Sequence, residues 1–220
     1  MRNIKWPAPL RVIGKSVVDW WDGWLDFEII TIVWFFAQFT VILGPPATFG
    51  LYHVIHVMAR EGEATGVKGM IQGARMYFGK ALFWGLINWV AVILAYVNIA
   101  FYLQMGTTLG AIAMWIVIIL SVTYLVAQFY TVAFFMQMKD DQKKVFVAFR
   151  NGLFLALGTP IFSFVLVLFA VVLIALSGAL IIPIFLGVPA LIAVLGTRGM
   201  IDRLEHFNLL KKDPDPREVG

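Results

Sequence analysis

The sequence predicts an all-α fold, a polytopic transmembrane helical bundle, and three observations predict it. The first is composition. Of 220 residues, 61% are hydrophobic and 14% charged, with a mean hydropathy of +0.87. An ordinary soluble domain is roughly 45–50% apolar and about 25% charged, and a soluble fold of this size cannot hide so much apolar surface. The second is the distribution of charge. No Asp, Glu, Lys or Arg occurs in the 58 residues between Lys80 and Lys139, or in the 47 between Arg150 and Arg198. Each gap holds two helical spans of about 20 residues at ~1.5 Å rise through a ~30 Å core. Continuous apolar runs imply helices, whereas a membrane barrel would show alternating segments of about ten residues. The third is the grouping of the basic residues, taken up below.

In chain order, Pro7 to Phe27 reads as an interfacial amphipathic segment. Leu10, Ile13, Val17, Trp20, Trp21 and Trp24 share one broad face, with Arg11, Lys15, Asp19 and Asp22 outside it. Tryptophan favours the headgroup level, where its ring is apolar and its N–H finds a partner. These mixed, tryptophan-rich residues lack the early apolar core of a cleavable signal. The spans follow as Phe27–Leu43, Ala47–Ala59, Ala81–Leu103, Leu109–Met138, Asn151–Leu176 and Leu180–Gly196. Gly44-Pro45-Pro46 breaks the first from the second. Pro160, Pro183 and Pro189 are expected to kink the last two. The organisation is thus a segment 1–26, a membrane domain 27–198 and a tail 199–220.

All 17 Lys and Arg residues then fall into four groups. Four precede the first span, four lie between the second and third, four between the fourth and fifth, and five follow the sixth. With six spans every basic residue lies on one face, as the positive-inside rule requires of cytoplasmic loops, and both termini are cytoplasmic. The difficulty is Ala47–Ala59, whose 13 residues give only about 20 Å of helix. A five-span alternative joins residues 27–59 into one kinked helix but places the first four basic residues on the wrong face. Six spans are favoured.

Sliding the chain by 79 positions lays Arg60-Glu61 on Lys139-Asp140, Gln72-Gly73 on Asn151-Gly152, and Gly79 on Gly158. That is the pattern of a parallel repeat, each unit an apolar helix, a basic connection and another apolar helix.

Few residues carry candidate chemistry. His53 and His56 lie three apart, on neighbouring positions of one helical face. Such a pair suits a metal, a haem or a proton relay, or simply helix–helix hydrogen bonding. Glu28 is a carboxylate at the start of the first span, near enough to the interface to reach water. Gln38, Asn88, Asn98, Gln104, Gln128, Tyr96, Tyr124 and Tyr130 suit hydrogen bonds between helices. Gly69-x-x-x-Gly73 and Gly106-x-x-x-Gly110 have the spacing that permits close helix approach. The connection from Glu61 to Lys80 mixes apolar and basic residues as an interfacial helix does. With no cysteine, disulfides and thiolate chemistry are excluded. Templates for nucleophilic catalysis, nucleotide binding and nucleic-acid binding find no match.

The stretch Ile42-Leu43-Gly44-Pro45-Pro46-Ala47-Thr48-Phe49-Gly50-Leu51-Tyr52, followed by the charged turn Arg60-Glu61-Gly62-Glu63, resembles the signature of the YesL-like bacterial membrane proteins, grouped under a domain of unknown function. The order and lengths match over roughly residues 25 to 200. The resemblance marks Pro45, Pro46 and Thr48 as positions of interest and implies a bacterial plasma membrane. It also implies an accessory role in carbohydrate import, since members are often encoded beside sugar uptake systems. The expected function is a non-enzymatic accessory or scaffold protein without cofactors. Its expected partners are the lipid bilayer and other membrane proteins or further copies of itself, not nucleic acid. The alternative is a small transporter or channel for an uncharged or weakly charged solute.

Overall fold

The computed structural model describes residues 7–62, 65–180 and 187–210, and among these it is all-helical. The helices are α1 (Ala8–Asp22), α2 (Trp24–Gln38), α3 (Gly44–Glu61), α4 (Gly66–Met76), α5 (Phe78–Gln104), α6 (Thr108–Gln137), α7 (Val145–Gly158), α8 (Pro160–Leu180) and α9 (Val188–His206). Three of them, α5, α6 and α8, are long and apolar enough to cross a membrane.

One three-helix pattern recurs along the chain. A short helix is followed by a single-residue break, at Gly23, Tyr77 or Thr159, then by an outgoing helix (α2, α5, α8) and a returning one (α3, α6, α9). The returning helices α3, α6 and α9 pack on one another at the centre. Each short helix packs on the returning helix of the unit before it: α4 on α3, α7 on α6, and α1 on α9, which closes the ring. The expected offset is visible here, since α4 begins at Gly66 and α7 at Val145, 79 positions apart. The structure adds a further unit, built from α1, α2 and α3.

Close backbone approach holds the centre. A Cβ built on Gly50 of α3 would lie 2.3 Å from the Met70 carbonyl oxygen of α4, and one on Gly196 of α9 would lie 2.9 Å from the Phe129 carbonyl of α6. Around these contacts Phe49, Val54, Tyr130, Ala133, Ala193 and Val194 are buried. Gly69 and Gly73 are buried on α4, Gly73 beneath the His53 side chain, so that glycine pair serves helix approach as its spacing suggests. Gly106, at φ +61°, instead makes the turn between α5 and α6.

Several expectations are corrected. The run Asn151–Leu176 is not one helix. Thr159 leaves the helical region at φ −133°, ψ 61°, as a residue before proline tends to. Pro160 then opens α8, where its missing N–H costs nothing. Pro45, Pro46 and Pro189 likewise sit in the first turns of α3 and α9 and start those helices without kinking them. Pro183, within the expected span Leu180–Gly196, lies outside the described residues. Because its prolines are helical, the 13-residue second stretch becomes the 18-residue α3, about 27 Å long.

The single kinked helix of the five-span alternative is not formed. Trp34 Nε1 donates to Thr48 Oγ1 at 3.1 Å and Gln38 Nε2 to the Gly44 carbonyl at 3.2 Å, so α2 and α3 fold back on each other. The overlong fourth stretch is one helix with two environments: Tyr130 to Met136 is buried in the centre, while the half nearest Gly106 is largely exposed.

Asp19 of α1 faces inward, contrary to expectation. Its carboxylate, 1% exposed, accepts from Arg198 Nε of α9 at 2.6 Å. Arg11 bonds Asp202 at 2.6 Å, Asp202 also pairs with Arg203, and the Arg203 guanidinium stacks 4.0 Å from the centre of the Phe162 ring of α8. A buried carboxylate needs such a partner because isolated charge is costly away from water. Val17, Val18 and Trp21 of α1 remain exposed on the outer side.

The α2–α3 and α5–α6 hairpins differ in reach. A Cβ on Gly85 of α5 would lie 2.3 Å from Pro45 Cγ, so the start of α3 is level with Gly85. From there α5 continues 19 residues to Gln104, about 28 Å further. In the most apolar 18-residue stretches of α5 and α6, 0% and 6% of residues are buried.

Gly50→Val drives a side chain into the Met70 carbonyl and is expected to lower stability by about 1–3 kcal/mol, as overpacking does. Gly79→Ala, with open space around it on α5, is expected to be neutral or stabilising by up to about 1 kcal/mol. Thermal unfolding of the purified variants in detergent checks both.

Candidate functional site

The charged ends of α3, α5 and α6 meet around one lysine. The segment after α6 turns tightly through Asp140–Gln142, which brings Lys143 back over the bundle. Its side chain is only 8% exposed. A buried ammonium needs acceptors, and Lys143 Nζ donates to the Tyr77 hydroxyl at 2.6 Å and to Asp140 Oδ1 at 2.8 Å. It also stands 4.7 Å from the Tyr77 ring centre and 6.0 Å from that of Phe135, within cation–π range. Tyr77 occupies the break between α4 and α5, so the ammonium ties that break to the α6–α7 connection.

From this point a column of rings rises through the molecule. Tyr77 meets Phe135 at 5.2 Å, Phe135 meets Phe49 at 5.0 Å, and Phe49 meets Trp84 at 5.7 Å, all edge-to-face or nearly so. Each such pair adds roughly 0.5–1.5 kcal/mol beyond its buried area. Burial pulls the Lys143 ammonium down, but its hydrogen bonds to Asp140 and Tyr77 outweigh burial and hold it above the ordinary lysine range. The Lys143 hydrogen bond and charge hold the Asp140 carboxyl below the usual carboxylate range. Asp140's contribution is therefore present above the ordinary carboxylate pKa and lost as pH falls. That of Lys143 is present below the ordinary lysine pKa and lost as pH rises. The pair is charged and closed throughout the neutral range.

His53 and His56 border this cluster. The His53 ring meets Tyr77 at 6.1 Å, and its Cβ covers Gly73. His56 Nδ1 is buried without a hydrogen-bond partner, and Arg60, Lys143 and His53 are its electrostatic neighbours. Among the described residues no three His, Cys, Asp or Glu side chains gather as a metal site. Among the described residues Arg60 and Lys143 stand near His56, and the Tyr77 ring stands beside His53. Glu28 stands half-buried on α2, and no interaction among the described residues joins it to them.

Pro45 and Thr48 belong elsewhere, in a groove of about 380 Å³ between α2, α3 and α5 whose walls include Trp34, Gln38, Trp84, Asn88 and Trp89. Pro46 is buried behind it. The groove carries no charge, and its polar groups are tied into the helices. Trp34 donates to Thr48, which donates to the Gly44 carbonyl; Asn88 donates to the Trp84 carbonyl and accepts from the Tyr124 hydroxyl at 3.0 Å; Trp84 Nε1 donates to Gln128 Oε1 at 2.9 Å. The column of rings runs from the Lys143 cluster to this groove and ends at Trp84.

The sequence reading of single candidates passes over Lys143, Tyr77 and Asp140. Lys143 counts there as one of four basic residues in a loop, and its burial depends on Tyr77, 66 positions away. The one available signal is that Tyr77 lies in the apolar–basic connection, three residues before the Lys80 that precedes a charge-free span.

Tyr77→Phe leaves the Lys143 charge without its neutral acceptor and is expected to cost about 1.5–3 kcal/mol, the range for hydrogen bonds to charged groups. Lys143→Met removes the charge together with its desolvation cost and is expected to be milder. Denaturant unfolding of the two variants, ranked against each other, checks the assignment.

Compared with protein-family models, curated protein sequences and solved structures, the chain matches none.

Proposed function

We propose that this chain is a non-enzymatic integral membrane protein of the bacterial plasma membrane that serves as an accessory or scaffold subunit. In this reading its three hairpins, α2–α3, α5–α6 and α8–α9, enter the bilayer from the cytoplasmic face and return to it. Both termini and every basic group lie on that face. The tryptophan-bearing outer side of α1 rests at the interface.

The observation that carries this reading is the bare α5–α6 hairpin. Its most apolar stretches hold almost no buried residues. Its polar side chains are spent locally: Asn98, Ser121 and Thr123 each donate to a carbonyl one turn back. A surface of this kind fits acyl chains and the transmembrane helices of partner proteins. The resemblance to the YesL-like proteins directs the search for partners to carbohydrate import.

In mild detergent the protein is expected to co-purify in stoichiometric amounts with other membrane proteins or with further copies of itself. Leu94→Asn together with Leu120→Asn, both on the bare hairpin and both more than half exposed, is expected to reduce that recovery without loss of the folded protein. A monomer with no partner at any detergent concentration argues against the proposal.

The groove favours a second reading, passage of an uncharged solute. It joins tryptophan rings to amide side chains, a lining suited to neutral polar molecules. Proteoliposomes tested with a panel of sugars are then expected to show flux that falls when Asn88→Leu is introduced. Absence of flux across the panel removes this reading and leaves the first intact.

A further inference from the structure

We infer that the α2–α3 hairpin is a half-depth insertion whose tip lies in hydrocarbon, with acyl chains of the opposite leaflet filling the bay above it. The inference rests on the membrane placement proposed above and concerns a feature that placement leaves open.

Depth follows from the contact of Pro45 with Gly85. The charge-free stretch of α5 begins after Lys80, so Gly85 lies about 8 Å along it. Val41, in the turn, lines the same groove as Trp89 and Val92, which puts the tip roughly 14–18 Å along α5. That is near the middle of a ~30 Å core. The α5–α6 turn at Gly106 lies far beyond it. The α2–α3 tip therefore stops short while its neighbour crosses.

The chemistry of the tip agrees. From Glu28 to Arg60 the chain carries no charge. Phe39, Val41, Ile42 and Leu43 are 73%, 67%, 62% and 49% exposed, a run of four apolar side chains pointing away from the protein. In water this tip would be costly, while in lipid it is matched. Hydrocarbon demands that backbone groups be answered internally, and the turn meets that demand in part. The Phe39 amide donates to Phe36, that of Thr40 to Ala37, that of Leu43 to Thr40 Oγ1 and that of Gly44 to the Thr40 carbonyl. The Gly44 carbonyl accepts from Gln38 and Thr48, and Pro45 and Pro46 have no N–H to satisfy. Left for the turn to answer are the N–H groups of Val41 and Ile42 and the carbonyls of Gln38, Phe39, Val41 and Ile42, two of which face prolines that have no N–H to give. Above the tip the wall of the bay is α5, where Trp89, Val92 and Ile93 are each more than half exposed and uncharged. Acyl chains are the occupant that such a wall fits.

The chain has no cysteine, so single cysteines can be placed without background. Ile42→Cys, with Val41→Cys as a second tip variant, Thr107→Cys and Lys139→Cys are each spin-labelled. The labelled proteins are reconstituted in phosphatidylethanolamine–phosphatidylglycerol vesicles and read by power saturation with oxygen and with a water-soluble nickel chelate. The tip labels are expected to respond strongly to oxygen and roughly tenfold less to the chelate than Thr107 does, because a charged complex is excluded from hydrocarbon. A tip label as open to the chelate as Thr107 overturns the inference, because the hairpin then crosses or lies outside. Shielding from both relaxants also overturns it, because protein then covers the tip. Thr107 and Lys139 test the placement separately: both must see the chelate, on opposite faces. Failure there rejects the placement, whatever the tip reports.

Discussion

Charge stands at one end of each hairpin, and the rest of the structure depends on that restriction. Each outgoing helix leaves a charged stretch of chain and each returning helix runs back toward one. Three antiparallel pairs result. Their returning members α3, α6 and α9 share the centre, and the short helices α4, α7 and α1 clip each pair to its predecessor. At the charged end the joints between pairs carry charge: the Lys143 ammonium donates to the Tyr77 hydroxyl, Arg198 pairs with Asp19, and Arg11 pairs with Asp202. Away from it the joints are glycine approaches, ring contacts and neutral hydrogen bonds such as Tyr130 with Ser163. The two kinds of joint are suited to their depth, because an ion pair needs nearby water or very good geometry and a dispersion contact needs neither.

Much of this is legible in the residues themselves, for definite reasons. The helical class follows from charge-free runs longer than a soluble core requires, and the grouping of Lys and Arg anticipates that helices return in pairs. The 79-residue offset is legible because Arg60-Glu61 falls on Lys139-Asp140 and Gln72-Gly73 on Asn151-Gly152. The breaks are less so. Thr159-Pro160 is a standard stop signal hidden inside an unbroken apolar run, and only the helical start at Pro160 distinguishes a stop from a kink. Tyr77 and Gly23 break helices with no proline at all.

The candidate site divides along the same line. Thr48 and Pro45 were marked by a local motif, and both prove to line the groove. Lys143 and Asp19 were not marked, because a charged residue reads as solvated until its partner is known, and those partners are 66 and 179 positions away. Long-range pairing of this kind leaves no trace in periodicity or spacing.

The closure of α1 on α9 bears on how the chain is made. Arg11 and Asp19 emerge first, yet their partners Asp202 and Arg198 follow 191 and 179 residues later. Until then the Arg198 guanidinium that seats the Asp19 carboxylate against α9 has not been made. Throughout synthesis α1 lacks α9, the helix it packs on, and it takes its final seat only when the last hairpin is in place. Contacts of such long sequence separation form late, and intermediates that expose them are the ones prone to misassembly. The ring thus carries its own completeness check: a chain that stops before α9 lacks the helix that closes the ring onto α1.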